Sequence, residues 1–121
     1  MTNQPKRNPR ADFRVAVGVE HESRLQKFYS RNLSSGGIFL EVAGKPPAIG
    51  SKLKITFEVA ELSRTISAEA QVIHHHPYEE MDDNLKTVKK TGIGLRFLKL
   101  EPKDQELIND YVKGKDLRVT N

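Results

Sequence analysis

Apolar and polar residues alternate along several stretches of this 121-residue chain. The clearest stretch is residues 52–59, in which every second side chain is apolar. Because successive side chains of a strand point to opposite sides of a sheet, this pattern predicts a strand with one apolar face. Such strands are typical of an antiparallel sheet or barrel. Further strands are predicted at residues 13–20, 25–31, 38–42, 66–72 and 93–97.

The segments between these strands carry turn residues or many charges. Residues 44–50 contain Pro46 and Pro47 and are predicted to form a loop. Residues 77–90 show no periodicity and a high charge density, so we predict a long mobile loop. A helix is expected to begin at Pro102, since proline suits the first helical turn, and to end at Gly114. Its apolar stripe consists of Leu107, Ile108, Tyr111 and Val112.

The amino-acid composition indicates a globular domain and excludes several kinds of site. With 36% hydrophobic and 30% charged residues, the chain has the balance of a globular domain. It contains no cysteine, which excludes disulfides and thiolate metal sites. No apolar run reaches the length of a membrane-spanning helix, and residues 1–10 are polar, so we expect a cytoplasmic protein without membrane insertion.

Positive charge is concentrated near the N-terminus. The formal net charge is +4, which favours anionic partners without choosing among them. The first fifteen residues contain Lys6, Arg7, Arg10 and Arg14, opposed only by Asp12. This cluster is therefore the preferred candidate for an anion site.

Arg10 and Arg14 form an RxxxR motif. A spacing of four places both side chains on one face of an extended segment. A guanidinium group matches phosphate oxygens in a bidentate manner and can also donate to the O6 and N7 edge of guanine. Taken alone, the motif is equally compatible with two solvated surface arginines.

Residues 32–37 form a second motif, Asn-x-Ser-x-x-Gly. The amide of Asn32 and the hydroxyl of Ser34 both donate and accept hydrogen bonds, as a guanine edge requires. Gly37 permits a positive φ or a close backbone approach. Taken alone, this motif is also typical of an ordinary turn.

Together, in this order and about 20 residues apart, the two motifs resemble the signature of PilZ domains, RxxxR followed by (D/N)xSxxG. The strand start Ile38-Phe39-Leu40 and the glycine-rich segment at residues 92–97 are similar to that family as well. The resemblance covers roughly residues 8 to 113. It implies a mainly β fold: a six-stranded antiparallel PilZ-type β-barrel with a C-terminal α-helix.

The resemblance also implies a ligand, the bacterial second messenger cyclic di-GMP. Arg10 and Arg14 would then grip phosphates and guanine, while Asn32, Ser34 and Gly37 would hold a guanine edge. Arg7, Gly36 and Arg96 are possible secondary contacts. In the family, an arginine directly before RxxxR favours binding of an intercalated ligand pair, and this chain has Pro9 in that place.

These expectations divide the chain into a flexible arm at residues 1–9, a PilZ domain at residues 10–113 and a tail at residues 114–121. A stand-alone receptor is expected to signal through a separate, unidentified effector protein or through a change in its own assembly. Ordering of the arm on ligand binding would present a new surface. The family's physiology makes motility or biofilm control the expected output. The 77–90 loop is the first candidate for partner contact.

Two alternative functions stay open at this point. The first is a PilZ-type protein–protein interaction adaptor that does not depend on nucleotide. Aromatic residues interleaved with basic ones, such as Phe28, Tyr29 and Phe39, are also compatible with a barrel that binds single-stranded nucleic acid. The intact PilZ motifs argue against the adaptor, and we expect no DNA or RNA partner.

No other constellation indicates chemistry. His74, His75 and His76 suit Zn, Cu or Ni as ligand types, but no further ligand at a diagnostic spacing completes a site, so no metal is expected. Ser34 and Ser35 lack the strand-to-helix elbow and the base that a nucleophile needs. We therefore predict a binding module without enzymatic activity.

Overall fold

The computed structural model describes residues 10–42 and 44–119, and the side chains up to Gly114. Within them lie seven strands, a short 3-10 turn at Ala60–Leu62 and one α-helix. The predicted arm at residues 1–9, with Arg7 and Pro9, lies outside the described residues. The elements are β1 Ala11–Asp12, β2 Ala16–His21, β3 Arg24–Leu33, β4 Gly37–Val42, β5 Lys52–Val59, β6 Arg64–Met81, β7 Thr87–Lys99 and α1 Pro102–Val119.

Six of the strands close into a barrel. The order is β3-β2-β5-β6-β7-β4, and β4 pairs again with β3, every pairing being antiparallel. β1 adds a two-residue pairing to the end of β3. Closure leaves no open sheet edge around the ring. The predicted six-stranded antiparallel barrel with a C-terminal helix is confirmed.

The alternating apolar side chains fill the interior of the barrel. In β5 the four apolar residues are buried and the four between them are exposed. The helix adds Ile108 and Val112 to the same core, and the ring of Tyr111 contacts that of Phe13 edge-on at 6.0 Å. Arg64 pairs with the nearly buried Asp104 in the first turn of the helix. The apolar stripe predicted for the helix thus faces the barrel.

The prediction of a loop at residues 77–90 is wrong. β6 and β7 instead continue as a two-stranded ribbon, closed by a turn after Met81. Glu79 pairs directly with Lys89 across the ribbon, and Lys90 Nζ lies 3.5 Å from Glu80 Oε2 on the diagonal. Cross-strand pairs of opposite charge stabilise a hairpin without apolar periodicity, which is why periodicity missed this one. The carboxylate of Asp82 accepts hydrogen bonds from two backbone N–H groups of the turn.

The predicted helix end at Gly114 is also wrong, because α1 continues through it to Val119. Glycine inside a helix costs only about 1 kcal/mol relative to alanine, and no proline follows it in the chain. No helix within the described residues has the length and apolar character that a membrane crossing requires.

Candidate functional site

A cavity of about 740 Å³ lies on the outside of the barrel, beside the start of β1. It contains every site residue named from the sequence except Arg7, which lies outside the described residues. The two motifs, far apart in the chain, therefore meet at one place. The cavity is lined by Arg10, Asp12, Arg14, Arg31, Asn32, Ser34, Gly36, Gly37, Ile38, Phe39, Ile73, His74, His76, Tyr78, Gly94, Leu95 and Arg96.

The first motif is held in an extended form at the cavity's edge. Ala11 and Phe13 are buried, while Arg10 and Arg14 are exposed and both line the cavity. The sequence predicts a strand over residues 13–20, but β2 begins only at Ala16, and residues 13–15 form a break between it and β1. Even so, the two arginines share one face, as the spacing predicts.

Ser30 fixes the backbone on either side of Arg14. Its side chain is buried, and its Oγ accepts a 3.0 Å hydrogen bond from the Val15 N–H and donates to the Phe13 carbonyl. The Ser30 N–H also donates to the Val15 carbonyl at 2.9 Å. The hydroxyl thus replaces ladder bonds that the broken strand cannot make. Sequence reasoning missed Ser30, because a serine inside a strand resembles an ordinary polar position.

The second motif forms a tight turn between β3 and β4. The Ser34 N–H donates to the Gly37 carbonyl at 2.9 Å, and Ser34 Oγ accepts from the N–H groups of Gly36 and Gly37 at 3.3 and 3.2 Å. The same hydroxyl donates to the Gly37 carbonyl at 3.3 Å. With its donor and both lone pairs engaged, Ser34 Oγ shapes the turn.

Gly37 is required by a close approach of two strands rather than by a positive φ. It pairs with Arg96 in the β4–β7 ladder, and a Cβ at this position would lie 2.0 Å from the carbonyl oxygen of Leu95. Of the two reasons that the sequence offered for this glycine, the structure selects the second.

A β-bulge places Arg31 at the cavity. In the β3–β4 ladder Ser30 pairs with Leu40 and Asn32 pairs with Phe39, which leaves Arg31 as the extra residue. Bulges turn a side chain away from the regular alternation and are frequent beside functional sites. Arg31 Nε lies 3.2 Å from Glu41 Oε2, and Arg14 Nη1 lies 4.0 Å from the same oxygen.

A second bulge, at Ile73 in β6, changes which face of the strand meets the cavity. Val72 pairs with Leu95 and His74 with Gly94, so Ile73 is unpaired. Beyond it, His74, His76 and Tyr78 line the cavity. The sequence offers one signal for this switch, the end of the apolar alternation at Val72, but a bulge itself has no sequence pattern.

These side chains form a row of rings with Phe39. The ring of Phe39 lies 6.3 Å from that of His74 and 6.0 Å from that of His76, and His76 stacks on Tyr78 at 6.3 Å. The guanidinium group of Arg31 lies over the ring of Tyr78, 5.3 Å from its centre. Flat faces of this kind suit stacking with a nucleobase.

Two glycines of β7 make room for the row of rings. A Cβ on Gly92 would lie 2.1 Å from Phe39 Cζ, and one on Gly94 would lie 2.3 Å from His74 Cε1. The glycine-rich pattern of this strand therefore has a packing reason. Small residues in β7 allow large rings from β4 and β6 to lie across it.

The hydroxyl of Tyr78 is buried and has no hydrogen-bond partner within the described part of the chain. Burial, followed by the negative charge of Glu41, raises the pKa of Tyr78 above its ordinary value, and the nearby Arg31 opposes the rise. The phenol is therefore neutral at ordinary pH and offers an O–H donor.

The consecutive histidines do not converge on a metal. His75 points away from its neighbours' face and bonds to the Pro47 carbonyl at 2.7 Å. Among the residues with described side chains, no group of three or more histidine, aspartate or glutamate residues is arranged to hold a metal ion. His74 and His76 do share one face, as the strand spacing predicts.

Comparison with known proteins gives a family model that matches most of the chain and solved structures of similar fold. A model of the PilZ domain matches residues 4–114 of the chain. No curated protein matches it at a significant level.

Solved structures resemble it closely. MotI (DgrA), the Bacillus subtilis inhibitor of motility, gives a TM-score of 0.77 and 24% identity over 95% of this chain and 53% of that one. The PilZ domain of YcgR from Escherichia coli with c-di-GMP gives 0.79 and 17%, over 96% and 95%. The complex of K. pneumonia MrkH with c-di-GMP gives 0.75 and 18%, over 97% and 55%. The chain thus spans about half the length of the MotI and MrkH chains.

Proposed function

Because this chain belongs to the PilZ domain family, we propose that it is a non-catalytic receptor for cyclic di-GMP that signals to a separate effector protein. One observation carries the proposal. Arg10, Arg14, Asn32 and Gly37, which match the family's motif, line a single outer cavity of about 740 Å³.

Arg10 and Arg14 bind the phosphates of the ligand. Both side chains are exposed on one side of an extended segment, so each can turn its planar fork towards a phosphate oxygen. The permanent charge of arginine suits a phosphodiester, which stays anionic at every ordinary pH. The backbone on either side of Arg14 is fixed by Ser30, which lowers the conformational entropy lost on binding.

The other end of the cavity binds a guanine base. The amide of Asn32 supplies a donor and an acceptor for the base edge, and Arg96 and the turn at Gly36 lie beside it. Ser34 acts by holding this turn in shape. The row of rings that begins with Phe39 supplies a stacking surface of matching chemistry.

The remaining parts of the proposal concern output. Ordering of the arm at residues 1–9 on ligand binding would present a new surface to the effector, and this arm lies outside the described residues. We place the protein in the cytoplasm, in control of motility or biofilm, with neither DNA nor RNA as a partner. Two neighbours with c-di-GMP in their structures support the ligand assignment.

Isothermal titration calorimetry with cyclic di-GMP tests the function. We expect saturable binding by the protein and none of comparable strength with GTP. Arg14→Ala should lower affinity at least about tenfold, because a charge-assisted hydrogen bond contributes about 1.5–3 kcal/mol. Arg24→Ala removes an exposed arginine outside the cavity and serves as the matched control.

The stoichiometry of the same titration separates one bound ligand from an intercalated pair. Absence of heat with a folded sample would overturn the receptor function. A folded Arg14→Ala protein that binds as well as the Arg24→Ala control would instead place the ligand elsewhere. Retained effector binding by an Arg14→Ala variant that has lost cyclic di-GMP binding would favour the nucleotide-independent adaptor.

A further inference from the structure

We propose that Arg31 is a third ligand-binding arginine and that Glu41 is an internal counter-ion with which a phosphate must compete for Arg31 and Arg14. This inference deepens the proposed function and rests on it. Neither residue belongs to the two motifs. Arg31 becomes visible through the bulge in β3, which places it at the cavity, and Glu41 through its ion pairs with Arg31 and Arg14.

Arg31 is positioned as a binding group rather than as a solvated surface residue. It is the extra residue of the bulge, its carbonyl accepts a 3.0 Å hydrogen bond from the Phe13 N–H, and its side chain is 34% exposed. The guanidinium lies over the ring of Tyr78. Contacts on two sides hold its planar fork at the cavity, with an edge left for a further acceptor.

Glu41 occupies the space between two arginines. One oxygen, Oε2, lies 3.2 Å from Arg31 Nε and 4.0 Å from Arg14 Nη1, and the side chain is only 21% exposed. Two guanidinium groups and one carboxylate leave this cluster with a charge of +1. The carboxylate thus halves the net charge of this cluster, which the two arginines alone would set at +2.

The two charges have opposite consequences for an anionic ligand. Arg31 attracts a phosphate oxygen and can also bond to it. Glu41 repels the same oxygen and competes with it for the positive charge of both arginines. Since the side chain of Glu41 is only 21% exposed, its effect is screened by salt less than that of fully exposed charges. Glu41 therefore sets the affinity of the site below the value that its arginines alone would give.

Calorimetric titration of Glu41→Gln with cyclic di-GMP tests the counter-ion. Glutamine keeps the length of the side chain and an oxygen in the same place, while removing the charge. We expect Glu41→Gln to bind cyclic di-GMP about three- to tenfold more tightly than the unchanged protein, because one partly exposed ion pair is removed. Glu58→Gln makes the same change of net charge on the exposed face of β5, outside the cavity, and should leave the affinity unchanged.

Arg31→Met, with Arg24→Met as its control, tests the third arginine. Methionine keeps an unbranched side chain that can pack on Tyr78, so we expect a folded protein with affinity lowered about tenfold. Thermal unfolding of each variant checks the fold. Arg31→Met binding as tightly as Arg24→Met would overturn the role of Arg31.

Two results would overturn the role of Glu41: unchanged affinity, or weaker binding, in folded Glu41→Gln.

Titration with pyrophosphate separates the inference from the proposed function, because the counter-ion acts on any phosphate. Tighter pyrophosphate binding by Glu41→Gln in a protein that ignores cyclic di-GMP would support the inference and overturn the receptor function. Failure to bind either ligand would overturn both.

Discussion

Two walls of the same barrel differ sharply in regularity. The regular wall consists of β5 with the facing residues 64–71 of β6. The eight consecutive pairs between them show no register shift, and buried and exposed residues alternate strictly in β5. The cavity wall consists of β3, β4 and residues 72–78 of β6, where bulges fall at Arg31 and Ile73. Regular alternation builds the core, and interruptions of it place side chains at the cavity. We therefore expect stability to depend mainly on the first wall and ligand binding on the second.

The largest effect on stability should come from the regular wall. Phe57 is 2% exposed and packs edge-on against Phe13 at 5.7 Å. Phe57→Ala should lower the free energy of unfolding by about 3–5 kcal/mol, measured by chemical denaturation. Arg14→Ala, an exposed change at the cavity, should alter it by less than about 0.5 kcal/mol. Equal losses in the two variants would remove the division between the walls.

Alanine substitutions of two glycines compare how closely strands approach in two parts of the barrel. Gly37→Ala should cost about 2–3 kcal/mol of folding free energy, because its Cβ would press on the Leu95 carbonyl and separate β4 from β7. Gly18→Ala is the matched change in β2, where the nearest atom is the Thr56 carbonyl oxygen at 3.7 Å. It should be neutral or slightly stabilising, as alanine restricts the unfolded chain. Comparable melting temperatures for the two variants would contradict the close approach at Gly37.

A smaller effect is expected from Ser30→Ala. It leaves the buried Val15 N–H and Phe13 carbonyl without their partner and should cost about 1–2 kcal/mol in denaturant unfolding. It should also weaken cyclic di-GMP binding, since Arg14 lies between those two groups. The control is Ser67→Ala, an exposed hydroxyl in β6. Weakened stability with unchanged affinity would show that Ser30 supports the core alone.

The smallest effect should come from Tyr78→Phe, which removes a buried hydroxyl without a partner among the described residues. We expect a change between zero and about 1 kcal/mol in favour of the variant at neutral pH. The pKa of Tyr78 is raised in the folded protein above the 10.0 of the free side chain. The unfolded state therefore loses its proton first, so unfolding free energy falls as pH rises from about 10 through the folded pKa.

The Tyr78→Phe variant lacks this titrating group. The difference in unfolding free energy between the two proteins should therefore change only above about pH 9. The measurement is denaturant unfolding of the unchanged protein and of Tyr78→Phe between pH 7 and pH 11, and the two free energies of unfolding are subtracted at each pH. A difference that stays constant over this range would show that the Tyr78 hydroxyl is exposed to solvent in the folded protein.

The two walls also explain how far the sequence could predict the structure. Strict alternation located β5, and two short motifs located Arg10, Arg14, Asn32 and Gly37, because each signal lies within a few consecutive residues. Barrel closure followed from the resemblance to a family. The strand β5 and the closed barrel are confirmed, whereas the role of the four motif residues in ligand binding stays a prediction.

What the sequence could not predict depends on pairing between distant segments. The ribbon of β6 and β7 is held by charges that face each other across two strands, and a single strand shows no sign of that. The bulges at Arg31 and Ile73 are defined by register alone. Hence the sequence could not place Arg31 and the row of rings from His74 to Tyr78 at the cavity, nor Glu41 beside its two arginines.

The division between the walls is tested most directly by amide chemical shifts recorded during titration with cyclic di-GMP. We predict that the largest shifts fall in residues 31–37 and 74–78, with those of residues 52–59 almost unchanged. Largest shifts in residues 52–59, or around the separate groove lined by Leu25, Leu98 and Leu100, would contradict the assignment of the ligand to the irregular wall.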